Sequence, residues 1–351
     1  MKQFDYVRPA TVTEAVAAAA QPGAVYLAAG TNLLDLMKGG VSRPDRLVDV
    51  TRLDGLDQIE TLADGSLRIG ALVRNADLAH DADFARSYPA VAEALLSGAS
   101  AQLRNAASVG GNLLQRMRCA YFYDTASRCN KRAPGSGCDA RDGENRSHAV
   151  LGWSDSCIAT HPSDFCVPLV ALDAIVEIEG RGGRREIALD ELHRLPGDAP
   201  ERESVLEPGD LIVAVRLPPA ARGLAAHARY LKVRERTSYA FAVVSAAAAL
   251  RIENGRIAQA RLALGGVAAK PWRARAAEDV LKGVAPTADA FQEAARRALE
   301  GAKPSGDNAF KIELARRIVV RALTLAAAGT PARIPALPAS PFASTSGALH
   351  V

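Results

Sequence analysis

Residues 107–172 read ASVGGNLLQRMRCAYFYDTASRCNKRAPGSGCDARDGENRSHAVLGWSDSCIATHPSDFCVPLVAL. This stretch holds all five cysteines of the 351-residue chain, and two adjacent glycines stand near its start. Cysteines that served only as small core residues would be scattered along the chain. Their concentration in one stretch predicts a shared ligand, and we expect the rest of the chain to be arranged around it.

The spacing of the cysteines matches no common motif. They stand at Cys119, Cys129, Cys138, Cys157 and Cys166. The spacing lacks the paired CxxC of most structural zinc sites and the tight runs of ferredoxins. Two interpretations remain. The cysteines could hold a metal centre with three or four thiolates in a long loop, or they could form disulfides that cross-link an inserted segment. The odd number and the lack of a secretory signal weigh against disulfides, and five unpaired thiols are a third possibility.

The residues between the cysteines favour an iron–sulfur cluster over zinc. Residues 130–137, NKRAPGSG, form a turn-rich segment that can direct backbone N–H groups toward sulfur. Basic side chains that would offset thiolate charge are Arg116, Arg118, Arg128, Lys131 and Arg132. Zinc bound by four thiolates would suit the same spacing, so zinc stays an alternative here.

Composition and charge describe an ordinary globular chain. Of its residues 48% are hydrophobic and 23% charged, and the net charge of +4 is spread among acidic residues. Because only 5% of residues are aromatic and no basic patch stands out, we expect no nucleic-acid partner. The sequence shows no export signal and no apolar run long enough for membrane insertion. We expect a cytoplasmic location, or a periplasmic one if a signal-bearing partner exports the chain.

Two loops of small residues stand out among the predicted elements. The first, residues 28–32, follows a strand at 25–27 and precedes a helix at 33–38. The second covers residues 103–112, where Gly110 and Gly111 permit close backbone approach. Loops of this kind offer backbone N–H groups to an anion. Two of them in one domain predict a dinucleotide with a pyrophosphate bridge, although a tight turn would explain either loop alone.

Periodicity, caps and turn residues predict the other elements, among them a capping box at Thr11 to Glu14, a helix cap at Asn75 and a hairpin turn at Asn254-Gly255. Before residue 220 we predict strands at 4–7, 46–50, 67–72 and 211–217 and around Glu177 and Glu186, a helix and then a strand within 167–176, and helices at 11–20, 75–79 and 89–96. A linker is predicted at 218–226, followed by strands at 228–233, 242–252 and 257–264 and helices near 274–283, 287–302 and 308–328. Strands followed by helices predict an α+β second domain.

Together these motifs resemble the FAD-binding medium subunit of the molybdenum hydroxylases, the family of xanthine dehydrogenase, aldehyde oxidoreductase and carbon monoxide dehydrogenase. Residues 27–34 look like the first pyrophosphate loop of the family, and Arg104-Asn105 with residues 108–112 look like the second. Pro162-Ser163-Asp164 followed by residues 171–174 resembles the turn whose aspartate binds FAD. The opening of the family's C-terminal domain is matched by Gly265 to Ala268, Pro271 and Arg273.

The resemblance covers the chain up to about Ala328 and implies an α+β fold. It implies a two-part FAD-binding domain of the PCMH/VAO type over 1–220, with subdomains at about 1–55 and 56–220 and an inserted iron–sulfur loop at 114–160. A smaller C-terminal domain of the CO dehydrogenase flavoprotein type would cover 226–330, and an extended tail would cover 331–351. Ile212 would be an apolar neighbour of the flavin, and Lys232 would stabilise the reduced ring. The implied FAD-binding residues are Tyr26, Leu27, Ala28, Ala29, Gly30, Thr31, Asn32, Leu33, Ser108, Gly110, Gly111, Asn112, Asp164, Ile212 and Lys232.

One insertion departs from the plain members of the family, in which the glycine loop runs almost directly into the aspartate turn. Here roughly 50 residues intervene and carry the first four cysteines, which resembles the extra [4Fe-4S] loop of three-subunit aldehyde oxidoreductases. We predict Cys119, Cys129, Cys138 and Cys157 as the cluster ligands, because Cys166 lies in an apolar run where a buried thiol is ordinary. Cys166 in place of Cys157, or His161 as the fourth ligand, stays open. A second departure is Tyr239-Ala240-Phe241, where many members place an acidic residue before the alanine.

The resemblance implies one subunit of a heterotrimer. A large partner with a molybdenum cofactor would oxidise the substrate, and a small partner with two [2Fe-2S] clusters would pass electrons to FAD here and on to an external acceptor. Two other classes stay open. A stand-alone flavin oxidoreductase would need a base near the ring, for which His148 and His161 are candidates, and a zinc-stabilised scaffold would leave the two loops unexplained.

Overall fold

A computed structural model describes residues 1–332 of the chain, and three β-sheets organise them. The predicted tail at 331–351 lies outside the described residues apart from its first two. No helix in the described part of the chain is long and apolar enough to cross a membrane.

The first sheet is parallel and lies entirely within the first 49 residues. Its strands are β1 (Asp5–Val7), β2 (Ala24–Leu27) and β3 (Arg46–Asp49), in the order β1-β3-β2, and its connecting helices are α1 (Val12–Ala19) and α2 (Leu33–Lys38). The Thr11 side chain accepts a hydrogen bond from the Glu14 N–H, as the predicted cap requires. Ala15 and Val48 pack against Val213 of the second sheet, so the two sheets share one core.

The second sheet is antiparallel and has five strands in the order β4-β5-β8-β6-β7. Its strands are β4 (Ile59–Thr61), β5 (Leu67–Gly70), β6 (Ile175–Gly180), β7 (Gly183–Ala188) and β8 (Leu211–Leu217). Its helices are α3 (Asn75–His80), α4 (Ala82–Ser87), α5 (Pro89–Ser97), α6 (Ala101–Ala106), α7 (Val109–Leu113), α9 (Cys166–Ala171) and α10 (Leu189–Leu192). Strand β8 is buried at the centre, and its bounds are those that its apolar run predicts.

The third sheet is antiparallel, with four strands in the order β12-β11-β10-β9. Its elements are β9 (Ala228–Val233), β10 (Val244–Glu253), β11 (Arg256–Gly265), β12 (Trp272–Arg273), α11 (Arg275–Leu281), α12 (Ala288–Ala298) and α13 (Phe310–Ala327). Asn254 and Gly255 both have positive φ in the β10–β11 turn, as the predicted Asn-Gly hairpin requires. Strands followed by helices confirm the predicted α+β character of this part.

Three local predictions differ from the structure. The predicted linker at 218–226 is instead a 3-10 helix, Pro219–His227, which buries Leu224 in the core. The predicted loop at 103–112 contains two short helices separated at Ala107 and Ser108, because Ser100 and Ser108 each cap a new helical turn. Asn75 is the first residue of its helix rather than the cap.

The cysteine stretch is inserted between α7 and α9 and has little regular structure. It contains only α8 (Ala120–Tyr123), a 3-10 turn at Asp139–Arg141 and two isolated β-bridges, Cys129 to Cys138 and Ser154 to Cys157. The third sheet supports it, since the N–H groups of Val150 and Leu151 both donate to the carbonyl of Val267. The insertion therefore contacts both the small-residue loops that precede it and the C-terminal part of the chain.

Candidate functional site

A cavity of about 830 Å³ opens where the three sheets approach one another. Its walls come from the loop after β2, the start of α7, the turn before α9, strand β8 and the loop after β9. This volume falls within the range of about 300–1,000 Å³ that is typical of small-molecule and cofactor sites.

The first small-residue loop offers unused hydrogen-bond donors to this cavity. In the described part of the chain, the backbone N–H groups of residues 30–33 donate to no protein acceptor. Gly30 has a φ of +74°, a conformation that an L side chain rarely adopts. Asn32 fixes the position of the loop, because its Oδ1 accepts a hydrogen bond of 2.8 Å from the Arg116 N–H. The loop can therefore present fixed N–H groups to an anion.

The second loop contributes space rather than donors. The N–H groups of Val109 and Gly110 donate to the carbonyls of Val73 and Ala71, and the Asn112 N–H donates to Ser108. A Cβ on Gly111 would meet only the Ser108 hydroxyl, at 3.1 Å, so this glycine leaves the cavity open beside it. Most of the backbone donors predicted in the second loop are therefore already engaged, since the N–H groups of Val109, Gly110, Gly111 and Asn112 have partners within the protein.

Asp164 is a buried acid on the cavity wall, and two side chains of β9 hold it. Its Oδ1 accepts a hydrogen bond of 2.5 Å from the Tyr230 hydroxyl, and its Oδ2 lies 2.8 Å from the Lys232 Nζ. Burial and the neighbouring Asp164 carboxylate raise the pKa of Tyr230 well above its usual value, so this hydroxyl stays a donor. The carboxylate is thus fixed in position and paired with a cation.

Thirteen of the fifteen predicted FAD-binding residues line this one cavity. The two exceptions are Leu27 and Lys232. Lys232 lies behind Asp164, with its side chain 3% exposed and its Nζ bonded to Asp164 and to the carbonyl of Ser97. Lys232 therefore lies outside the cavity lining and is paired with Asp164, and its predicted stabilisation of the reduced ring stays a prediction.

Several cavity residues were not predicted from the sequence. Tyr239 and Phe241 border the cavity and remain about half exposed, and the guanidinium of Arg118 lies 4.8 Å from the centre of the Phe241 ring. Gln115 also lines it and donates to the Asn112 side chain. The departure of residues 239–241 from the family pattern was the one sequence signal that pointed to this wall.

Four of the five cysteines line a second, small cavity. These are Cys119, Cys129, Cys138 and Cys157, the four predicted metal ligands. None of the five cysteines forms a disulfide. Cys119 and His148 line both this cavity and the large one, so the two cavities share a wall.

The four thiols are spaced more widely than one tetrahedral zinc ion would require. Zinc–sulfur bonds of about 2.3 Å place the four sulfurs about 3.8 Å apart. In residues 1–332, the one group of three or more potential ligand atoms within 4.8 Å of one another contains His161, Cys166 and His193 instead. A four-iron cluster binds each thiolate to a different iron and so suits wider spacing.

The Ala159 N–H donates to the Cys157 sulfur at 3.5 Å, a kind of contact that is common around iron–sulfur clusters. Burial raises the pKa of Cys119 to about 12, while the N–H groups of Phe122 and Tyr121 act to lower it. Burial likewise raises the pKa of Cys138 and of Cys157. Cys119, Cys138 and Cys157 are therefore neutral thiols on their own, and a metal centre would displace their protons.

The source of those N–H groups differs from the prediction. They belong to residues beside Cys119, Cys138 and Cys157, whereas the N–H groups in 130–137 mostly bond within that segment. The predicted basic residues are also engaged elsewhere. Arg116 pairs with Glu203, Arg128 pairs with Asp139, and Arg132 donates to backbone carbonyls. Lys131 is the one whose positive charge lowers the pKa of a cysteine, Cys157.

Cys166 lies apart from the other four, buried between Ser163 and the core. It neighbours His161 and His193, whose ring centres are 4.3 Å apart. Burial lowers the pKa of His193 to about 4 and that of His161 well below its usual value, and nearby Lys270 and Lys131 add to these shifts. Because these lysines also oppose a bound cation, we interpret this group as a neutral part of the core.

The fold and the large cavity define a dinucleotide-binding protein of α+β architecture. Residues 2–220 match the family described as the FAD binding domain in molybdopterin dehydrogenase, and residues 229–326 match the CO dehydrogenase flavoprotein C-terminal domain. The aldehyde oxidoreductase FAD-binding subunit PaoB of Escherichia coli (strain K12) is 50% identical over 331 residues, which are 93% of this chain and 99% of that protein. The carbon monoxide dehydrogenase medium chain of Hydrogenophaga pseudoflava is 27% identical, over 92% of this chain and 97% of that protein.

Solved structures show the same architecture. A carbon monoxide dehydrogenase structure from Hydrogenophaga pseudoflava has a TM-score of 0.72 at 28% identity and covers 93% of this chain and 98% of its own. The chain therefore belongs to the family of FAD-binding subunits of the molybdopterin dehydrogenases. The predicted fold, the FAD cofactor and the assignment to oxidoreductases are confirmed. The large cavity fits FAD, since it combines a suitable volume, unused N–H groups and an open glycine face.

Proposed function

We propose that this chain is the electron-transfer subunit of a heterotrimeric aldehyde oxidoreductase or xanthine dehydrogenase-like complex, and that it holds a [4Fe-4S] cluster beside FAD. In this proposal a large molybdenum-cofactor partner oxidises the substrate, and a small partner supplies electrons from two [2Fe-2S] clusters. The electrons leave through FAD to an external acceptor. The observation that carries the proposal is that the cysteine cavity and the FAD cavity share Cys119 and His148.

The placement of FAD follows from what each wall can supply. The unused N–H groups of residues 30–33 suit the pyrophosphate, and the open face at Gly111 lets a large group approach the backbone. Asp164 stands as a fixed acceptor on the cavity wall, and Ile212 adds an apolar surface. When bound, FAD accepts single electrons from iron–sulfur clusters and releases two together.

The cluster assignment rests on the four grouped thiols, their spacing and their N–H donors. Cys119, Cys129, Cys138 and Cys157 would hold the four irons, and Cys166 would remain in the core. The resemblance to three-subunit aldehyde oxidoreductases and the 50% identity to a subunit named for aldehyde oxidation favour the aldehyde branch of the family. A zinc-stabilised scaffold is less well supported, because a mononuclear site would draw the sulfurs closer together.

A stand-alone flavin oxidoreductase is also less well supported. Of its two candidate bases, His148 faces the Cys119 sulfur through Nε2, and the Nδ1 of His161 accepts a hydrogen bond from the Ser163 N–H. Burial lowers the pKa of both imidazoles, which makes them weak proton acceptors at neutral pH.

Metal and flavin analysis of cysteine variants tests the proposal. The purified chain should show flavin absorption with a broad iron–sulfur shoulder and about four irons per flavin. Cys119→Ser, Cys129→Ser, Cys138→Ser and Cys157→Ser should each lose most of that iron, and Cys166→Ser is the matched control that should keep it. Iron that survives Cys157→Ser but not Cys166→Ser would contradict the ligand set, and zinc without iron would contradict the cluster. Native mass spectrometry should also find the chain bound to two different partners.

A further inference from the structure

His148 is the one polar side chain that borders both the FAD cavity and the cysteine cavity alongside Cys119. It is 5% exposed, and its Nε2 lies 3.2 Å from the Cys119 sulfur. Its Nδ1 is buried and has no hydrogen-bond partner. The imidazole therefore makes its one side-chain hydrogen bond to a predicted cluster ligand.

The backbone around His148 is fixed from the far end of the chain. Its carbonyl accepts hydrogen bonds from the Asn308 side chain at 3.0 Å and from the Lys311 Nζ at 2.8 Å. Lys311 also donates to the carbonyls of Ser147 and Gly266. Asn308 and Lys311 are both fully buried, next to or within the first turn of α13. The C-terminal part of the chain thus holds the imidazole in place.

The direction of the hydrogen bond follows from the chemistry of the two groups. A thiolate bound to iron can only accept, so the nitrogen that faces it must carry hydrogen. Nδ1 is buried with no partner for a hydrogen, whereas Nε2 lies 3.2 Å from the sulfur, which can accept one. That hydrogen is therefore on Nε2 and points at the sulfur.

We propose that His148 is a positioning residue that donates a hydrogen bond to Cys119 and so raises the reduction potential of the iron–sulfur centre beside FAD. The inference rests on the proposed function, because it needs a cluster at Cys119. A reduced cluster carries one more negative charge than an oxidised one, and part of it resides on the ligand sulfurs. An N–H donor stabilises that charge more in the reduced state, so it favours reduction.

Three substitutions separate this role from simple packing. His148→Leu keeps the volume and removes the donor. His148→Gln places an amide N–H about where Nε2 stands, while His148→Asn carries its amide on a shorter side chain that does not reach the sulfur. His80→Leu is the control, since His80 is exposed and contacts only the Ala76 carbonyl.

The measurement is a redox titration of the iron–sulfur signal by electron paramagnetic resonance in the purified complex, after iron and flavin are counted. At a fixed potential, His148→Leu and His148→Asn should each lower the ratio of reduced to oxidised cluster about tenfold, a shift of about 59 mV for a one-electron couple. His148→Gln should stay within about twofold of the unaltered protein, and so should His80→Leu. If His148→Leu fails to retain iron, the comparison of the Asn and Gln variants decides.

The role of His148 and the proposed function would be overturned by different results. An unaltered potential in iron-loaded His148→Leu or His148→Asn, or equal shifts in the Gln and Asn variants, would overturn the role of His148 and leave the proposed function intact. An unaltered complex whose cysteine loop contains no iron would overturn the proposed function itself.

Discussion

The buried pair of Asp164 and Lys232 yields a quantitative prediction about the wall of the proposed FAD site. The two side chains are 7% and 3% exposed, and their charged atoms are 2.8 Å apart. Removal of one partner leaves the other charge buried without compensation, which costs about 3–5 kcal/mol in comparable proteins. Asp164→Asn and Lys232→Met should therefore each lower the free energy of unfolding by about that amount.

The double variant distinguishes an ion pair from two independent contacts. Asp164→Asn with Lys232→Met removes both charges together, so its loss of stability should fall short of the sum of the single losses by up to about 3 kcal/mol. Urea unfolding of the four flavin-free proteins, followed by circular dichroism, gives the required free energies. The exposed pair of Asp83 and Arg86 provides the control, and Asp83→Asn should change stability little because that pair is solvated.

Flavin binding supplies a second readout of the same variants. Asp164 lines the cavity and Lys232 does not, so Asp164→Asn should weaken FAD binding directly. Lys232→Met should affect FAD chiefly by loosening Asp164, which Tyr230 still holds through its hydroxyl. Additive stability losses, or a Lys232→Met protein as stable as the unaltered one, would refute the reasoning that Lys232 serves to balance Asp164.

Two further predictions concern the flavin loop and the buried histidines. Gly111→Val should reduce bound FAD below about one-tenth of the normal content, because the new side chain would project into the cavity. The control Gly182→Val, at a glycine with open space around it, should keep the normal content. Flavin released by heat and measured by absorbance checks this, and full retention in Gly111→Val would place FAD elsewhere. Burial lowers the pKa of His193 to about 4, so its contribution to stability is present above pH 6.5 and is lost as the pH falls toward 4. Between pH 7.5 and 5 the unaltered chain should lose about 2 kcal/mol more than His193→Gln in urea unfolding, and equal losses would show that His193 is not the group responsible.

Local signals in the sequence identified much of the fold. The apolar run at 211–217 predicts β8, residues 228–233 predict β9, and the periodicity of 33–38 predicts α2, all with the bounds that the structure shows. These segments have a clear hydrophobic period, and Pro218 and Gly39 mark the ends of β8 and α2. The linker prediction at 218–226 failed because two prolines suggest an open chain, and only tertiary packing reveals that Leu224 is buried.

The chemistry of the site was less accessible, because it depends on partners distant in sequence. Gly110 was predicted to offer its N–H to a ligand, but that N–H donates to the carbonyl of Ala71. Tyr230 and Lys232 stand two residues apart on one strand, so a common face could be predicted. That this face meets Asp164, more than 60 residues earlier in the chain, could not. In contrast, the apolar neighbours of Cys166 were a local signal, and the structure does separate this cysteine from the other four.

Three separate parts of the chain fix the two ends of the cysteine insertion, which bears on why it occurs in a chain that also binds FAD. Asn32 of the first loop fixes the backbone at Arg116, and His193, which lies between β7 and β8 of the second sheet, donates to the carbonyl of Leu113. Lys311 and Asn308 fix the opposite end at residues 147–149. These same contacts position the walls of the FAD cavity, since Asn32, Arg116 and His148 all line it. A change in the cysteine loop should therefore alter the proposed flavin site through these shared residues, so the two cofactors of this proposal would be built as one unit.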